Sequence, residues 1–292
     1  MIPALFFLFG IVIGSFLNVC IWRIPAGESI ITPASHCPRC LAAIQPYDNI
    51  PILGWLLLRG KCRNCSLPIS PMYPLVELCT GLLFLLTWRT YGLTIPTFKF
   101  LFLGCLLIIL IVTDLRERLL PDAINWPGFG IALAFATRIP PDGDLNPWIY
   151  GPHLPFMLTG VLQSLLGATI GSGLLWVAAA AYKFFRKRDG MGMGDVKMMI
   201  MVGAFLGIRG AFLTILFGTL LGSVVGITIV LLFFLFNWKR PLAQRAHRRG
   251  LGSLNSLRWT IASGYQFPLG TFLGIAALFV FLALPHFGLF TP

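Results

Sequence analysis

A chain of 292 residues that is 57% hydrophobic and only 11% charged is too apolar for an ordinary water-soluble domain. Its net charge of +12 invites a nucleic-acid reading, which fails once the positions of the basic residues are considered. Apolar runs of membrane-crossing length recur along the whole sequence, so the expected fold class is an all-α polytopic membrane protein.

In chain order the expected spans are 2–22, 74–91, 98–113, 123–138, 156–182, 196–208, 211–236 and 264–284, about eight in all, the sixth short. MIPALFFLFG has no basic leading region and no small-residue cleavage site behind it, so the first run reads as a retained span. The expected division is a first helix at 1–22, a polar loop domain at 23–73, and a membrane core of about seven helices at 74–292. That core carries a basic loop at 237–263. The proline-rich stretch 139–155, IPPDGDLNPWIYGPHLP, reads as a loop on the far side, with Trp148 and Tyr150 at the interface.

With the 23–73 loop placed in the cytoplasm, the segments 23–73, 114–122, 183–197 and 237–263 share one side and hold 18 of the 22 Lys and Arg residues. Arg89, Lys99, Arg138 and Arg209 sit at the opposite ends. This asymmetry is the positive-inside pattern, and it puts both termini of a multi-pass membrane protein on the outer side. Topology therefore accounts for the basic balance, and no nucleic-acid partner is expected. Membrane lipid is, with the 238–258 stretch as a possible contact for anionic headgroups. The sequence does not reveal an oligomeric state.

The loop carries CPRC at 37–40 and CRNC at 62–65. Two CxxC knuckles supply the four thiolates of a tetrahedral zinc site, so Cys37, Cys40, Cys62 and Cys65 are the expected ligands of a structural Zn2+ in a zinc-ribbon-like fold. A disulfide pair is the rival reading, disfavoured in a reducing compartment. Four cysteine ligands leave no open coordination position, so the metal would not be the catalyst. His36 could substitute for a ligand, although a solvated histidine is the simpler reading. Cys20, Cys79 and Cys105 fall within spans and read as small packing residues.

Only ten acids occur in the chain, and a carboxylate at the membrane is costly enough to draw attention. Asp114 ends the third span in IIVTDLRERLLPD, and Asp195 opens the sixth in GMGDVKMM. The expected topology puts both at the cytoplasmic face. Two carboxylates within reach of each other share a proton, so one can activate water while the other polarises a peptide carbonyl, as in aspartic proteases. Plainer readings stay open: Asp195 as a helix cap, Asp114 as a partner of Arg116 or Arg118, Asp122 as a helix-start carboxylate. Glu77 is an acid inside the second span whose role spacing does not reveal. A phosphate loop is disfavoured, because GMGMGD lacks the lysine-serine ending.

The blocks GSFLNVCIWRIPAGESI (14–30), the two CxxC pairs, DNIPILGWLLLRGKC (48–62), YPLVELCTG (73–81), TDLRERLLPD (113–122), GMGMGDVKMM (190–199) and FPLGTFLG (267–274) run through nearly the whole chain. In this order they resemble the type IV prepilin peptidases, in the larger bifunctional form that carries the cysteine tetrad. The resemblance implies a GxGD-type membrane aspartic protease that removes the basic leader of prepilins and pseudopilins after a glycine. It implies N-methylation of the new N-terminus with S-adenosyl-L-methionine, in the service of type IV pili or type II secretion. Matched motif to motif, the catalytic aspartates fall on Asp114 and Asp195, and the metal ligands on Cys37, Cys40, Cys62 and Cys65. Glu117 and Asp189 are candidate contacts for the leader. No soluble S-adenosylmethionine fold is legible, so a methyl-transfer site would have to be built from the spans and the 23–73 loop, and its residues are not assigned. The 139–155 loop is longer than the family pattern leads one to expect.

Two other classes stand beside this expectation. A transporter or channel would use membrane carboxylates for ions, but it would be expected to show internal repeats and acids near the midplane. A zinc-ribbon membrane adaptor would leave Asp114 and Asp195 without a task.

Overall fold

The computed structural model describes residues 1–141, 155–187, 192–235 and 268–287. The basic loop 237–263, Asp189, Trp148 and Tyr150 lie outside the described residues. The elements are α1 (Ile2–Ala26), α2 (Leu53–Leu57), α3 (Met72–Tyr91), α4 (Ile95–Glu117), α5 (Asp122–Ala136), α6 (Phe156–Arg186), α7 (Met193–Leu235) and α8 (Leu269–Leu282), followed by a 3-10 turn at Leu284–Phe287. Among the described residues extended pairing is confined to two isolated bridges, His36 with Ala43 and Lys61 with Pro68.

Five helices, α1, α4, α6, α7 and α8 with its 3-10 extension, are long and apolar enough to cross a membrane. Helices α3, with 20 residues, and α5, with 15, occupy the second and fourth expected spans. Proline in the first turn of α1 and α4 starts each helix where a backbone N–H would lack a partner anyway.

The sixth and seventh expected spans form one continuous element interrupted at Gly207, where φ is 71° and ψ −170°. This conformation is open essentially only to glycine. The contacts with α6 show what the interruption does. Gly167 of α6 lies against both Gly203 and Gly207, and Gly171, one turn on, lies against both Met199 and Ala211. One half of α7 therefore runs back along the other, a helical hairpin folded at Gly207, and the expected total of about eight membrane segments is recovered.

Small residues let these helices approach backbone to backbone, which is how helices associate where lipid offers no hydrophobic drive. Ser164 of α6 donates across the same crossing to the Ala204 carbonyl at 2.8 Å. Met198, Met199 and Met201 are fully buried. They fill the irregular gaps beside Gly128 of α5, Gly171 of α6 and Gly274 of α8. At the far end, Tyr91, Phe100 and Phe281 form a continuous stack with centroid spacings of 4.8 and 5.1 Å. Cys20 is buried in the bundle and Cys105 is half-buried, whereas Cys79 is exposed on α3. The packing role expected of it is thus corrected by a register that turns it to the outer side of α3.

Helix α1 packs on α3 and α4, α6 packs on α7, and α5 bridges α6 and α7. Helix α8 lies against both α4 and α7, which make little direct contact with each other. It is therefore the wedge that sets the distance between the two helices carrying Asp114 and Asp195.

Candidate active site and metal centre

Asp114 lies in the last turn of α4. The helix stops four residues later at Arg118, which takes a left-handed conformation (φ 55°) and donates its N–H to the Asp114 carbonyl at 2.9 Å. Leu120 precedes a proline and is steered toward extended backbone, so the chain turns at once into α5. Asp195 is the third residue of α7. Both carboxylates are buried, with 5% and 7% of their residue surface exposed.

The two acids meet at the first turn of α8. A methyl group at Gly270 would lie 3.1 Å from Asp114 Oδ2 and 3.1 Å from Asp195 Oδ1, so those oxygens are separated by no more than twice that distance. Only a residue without a Cβ leaves the space open. The N–H of Thr271 donates to Asp114 Oδ2 at 2.7 Å, and its hydroxyl donates to the same oxygen at 2.9 Å. Asp195 accepts backbone hydrogen bonds from Gly192 and Gly270. The first turn of any helix presents N–H groups without intrahelical partners at the positive end of its dipole. In α8 those donors are divided between the two carboxylates. Leu120 closes the floor, touching both Gly194 and Gly270.

The plainer readings of these acids resolve as follows. Asp195 stands at the third helical position and not at the N-cap, although its bond to Gly192 is the side-chain half of a capping box. Asp114 does not pair with Arg116 or Arg118; the Arg116 guanidinium lies 3.4 Å from the Trp22 ring centroid. Asp122 begins α5 without a side-chain cap bond. Instead it takes Lys197 at 2.7 and 2.9 Å, an ion pair open to solvent that ties α5 to α7 beside Asp195. Glu117, partly exposed at the end of α4, lies 3.8 Å from Arg116.

Gly270, Thr271 and Lys197 escaped the sequence reading as site residues. The block FPLGTFLG was noticed, but only its tertiary placement directs its free N–H groups at the acids. A proline followed by glycine and threonine at the head of an apolar run was the available signal.

In the loop domain the Sγ atoms of Cys37, Cys40, Cys62 and Cys65 all lie within 4.8 Å of one another. The two knuckles repeat one geometry. Leu41 N–H donates to Cys37 O and Cys37 N–H to Ala42 O, while Ser66 N–H donates to Cys62 O and Cys62 N–H to Leu67 O. Each turn carries one left-handed residue, Leu41 (φ 58°) or Ser66 (φ 57°). Four convergent sulfurs on paired knuckles fit a tetrahedral zinc with Zn–S bonds of about 2.3 Å. Backbone donation at Ala42 and the Asn64 amide bring the Cys40 thiol down to about 6, and backbone donors at Cys65 and Asn64 lower Cys62. At Cys65 the donor at Leu67 is outweighed by burial and the neighbouring thiols, which push it up to about 11. His36 is outside the cluster, its ring nitrogen beside the Ala34 carbonyl, so the substitute-ligand reading is set aside. Asp48 accepts two bonds from Arg63, which hold its carboxyl below the usual range and close the domain across the second knuckle.

Glu77 also acquires a role. Its carboxylate accepts from the Ile52 N–H at 2.6 Å and from Ser15 and Asn18 of α1, fastening the loop to the first two membrane helices.

Comparison with known proteins bears on both halves. Residues 8–91 match the bacterial peptidase A24 N-terminal domain, and residues 101–227 match the type IV leader peptidase family. A protein of Myxococcus xanthus called prepilin leader peptidase/N-methyltransferase is 40% identical over 228 residues, which cover 77% of this chain and 62% of that protein. Proteins of the same name are 36% identical in Neisseria gonorrhoeae, covering 75% of this chain and 79% of the relative, and 33% identical in Aeromonas hydrophila, covering 78% and 81%. No solved structure matches the chain.

Proposed function

This chain belongs to the type IV leader peptidase family, and on that premise we propose that Asp114 and Asp195 cleave the leader from prepilins or pseudopilins at the cytoplasmic membrane face. The observation that carries the reading is the convergence of both carboxylates on the first turn of α8. One aspartate, ionised, takes a proton from water, and that water attacks the scissile carbonyl. The other, protonated, donates to the carbonyl oxygen as the tetrahedral intermediate forms; on collapse it takes a proton back from the gem-diol, and the first gives the water's proton to the leaving amine. The Thr271 and Gly270 donors hold the two acids in register and shield their charge. A transporter or channel reading is not favoured by acids gathered at one end of their helices. An adaptor reading leaves this geometry unused.

In the same reading the membrane core (74–292) performs the cleavage, and the site of the second activity carried in the relatives' name is built from the spans, the first helix (1–22) among them, and the loop domain (23–73). S-adenosyl-L-methionine supplies the methyl group for the new N-terminal amine. Zinc on Cys37, Cys40, Cys62 and Cys65 would hold the loop domain together and take no part in either reaction. The positive-inside asymmetry puts both termini on the outer side of the bacterial inner membrane, with the loop domain and dyad inside.

The test is cleavage, in membranes, of a prepilin with a basic leader and a Gly-Phe junction, the product's N-terminus being read by mass spectrometry with and without S-adenosylmethionine. Asp114→Asn and Asp195→Asn each abolish cleavage, while Asp122→Asn, which loses only an exposed ion pair, retains it. The wild-type product gains one methyl mass when the donor is present. Cleavage surviving in either of the first two variants removes that aspartate from the mechanism.

A further inference from the structure

The stretch DNIPILGWLLL, residues 48–58, belongs by sequence to the polar loop, yet it lies beside the first membrane helix. The level of α1 to which it reaches is fixed by packing. The Glu77 backbone of α3 lies directly on Gly14, close enough that any side chain there would collide with it. Gly14 stands 12 residues before the end of α1 at Ala26. Counted from the expected span ends at residue 22 of α1 and residue 74 of α3, that level lies eight and three residues inside, about 5–12 Å at 1.5 Å per residue, within the half-thickness of a hydrocarbon core, about 15 Å. The Ile52 N–H is held by the Glu77 carboxylate, so the tip of the loop lies within one side chain's length of this level. Independently, Asn49 and Pro51 line a shared cavity with Val12, Ser15, Phe16 and Val19 of α1. The loop has therefore turned back along the outward face of the first span.

The side chains and backbone agree with that depth. Leu53, Leu56 and Leu57 of α2 are 56%, 55% and 78% exposed, an apolar face with no protein partner among the described residues. It continues the outward face of α1, where Val12 and Phe16 are also exposed. Arg59 and Lys61 follow immediately and are exposed, which suits the anionic headgroup layer. Irregular backbone is tolerated at membrane depth only where its polar groups are satisfied by protein. Here Leu53 N–H bonds Pro51 O, Gly54 N–H bonds Ile50 O, Leu56 N–H bonds Ile52 O, and Trp55 Nε1 bonds Ile69 O. Ile52 sits at φ 61°, ψ −53°, a strained setting for a β-branched residue, and Glu77 is the acceptor that secures it.

We propose that residues 50–58 form a re-entrant segment inserted into the leaflet on the loop's own side, with Leu53, Leu56 and Leu57 against acyl chains and Arg59 and Lys61 at the headgroups. The partner of this surface is bilayer lipid. Glu77 is a positioning residue for the segment, replacing the water its turn would otherwise need. The surface goes beyond the peptidase reading and does not depend on it.

The test uses the full chain in native membranes. A photoreactive benzophenone side chain is placed singly at Leu53, Leu57, Phe16 and Arg39, and adducts are identified by mass spectrometry after illumination. Phe16 is the lipid-facing standard, and Arg39, in the first cysteine knuckle, is the exposed polar control. Lipid adducts at Leu53 and Leu57 in yields within about threefold of Phe16, and absent at Arg39, are expected from buried acyl contact. No lipid adduct at Leu57, or crosslinking there to another protein, with Phe16 still labelling lipid, overturns the proposal. As a second readout, Glu77→Leu lowers the lipid yield at Leu57, and Glu77→Gln, which keeps an acceptor, restores it. An unchanged yield in Glu77→Leu removes Glu77 from the account.

Discussion

Thr271→Val tests whether α8 acts as a donor to the dyad or only as packing. Valine keeps the shape and the backbone N–H, so the 2.7 Å bond to Asp114 Oδ2 remains and the site is not dismantled. The substitution removes the hydroxyl donor at 2.9 Å and its longer contact to the Ile111 carbonyl at 3.4 Å. A hydrogen bond to a charged acceptor contributes about 1.5–3 kcal/mol. At 1.36 kcal/mol per decade of rate, its loss corresponds to a roughly 10- to 150-fold fall in kcat/KM for leader cleavage. Thr271→Ser keeps the donor and is expected within about threefold of wild type, since only a methyl is lost. Initial rates on a detergent-solubilised prepilin, with zinc content and thermal midpoint as folding controls, supply the comparison. If valine matches wild type, the hydroxyl does not act on Asp114. If serine falls while valine does not, the methyl packing matters and the donor does not. Either result refutes the argument.

Gly207→Ala places a Cβ where φ is 71° and ψ −170°, at the fold of the α7 hairpin against Gly167. Backbone strain alone costs about 1–3 kcal/mol there, so the thermal midpoint in detergent should fall clearly, and an unchanged midpoint would refute the hairpin geometry. Purified protein should carry one zinc per chain by metal analysis. A strong chelator, or Cys62→Ser, should release it and open residues 27–71 to protease while the helical signal of the bundle persists. Protease resistance unaltered by complete metal removal would show that the loop domain holds itself together without the metal.

Hydrophobic runs and the distribution of lysine and arginine made the membrane class and the number of segments legible before any coordinates, because lipid leaves the backbone few choices. The cysteine tetrad was legible for a similar reason: CxxC spacing fixes two sulfurs locally, and two such turns suffice for a metal. Asp114 and Asp195 stood out through scarcity and position, and through resemblance. Sequence could not say that they meet, since helices ending at one depth can still face apart. Only the wedging of α8 between α4 and α7 brings them together, and only that placement turns Gly270 and Thr271 from the start of an apolar run into donors for both acids. The same holds for DNIPILGWLLL, which is too short and irregular to read as a span; its return along α1 rests on one long-range bond, Ile52 to Glu77, that no local periodicity encodes. Local pattern specifies elements and their solvent. The angles and depths at which elements pack depend on residues far apart in the chain, and there the chemistry of this protein was decided.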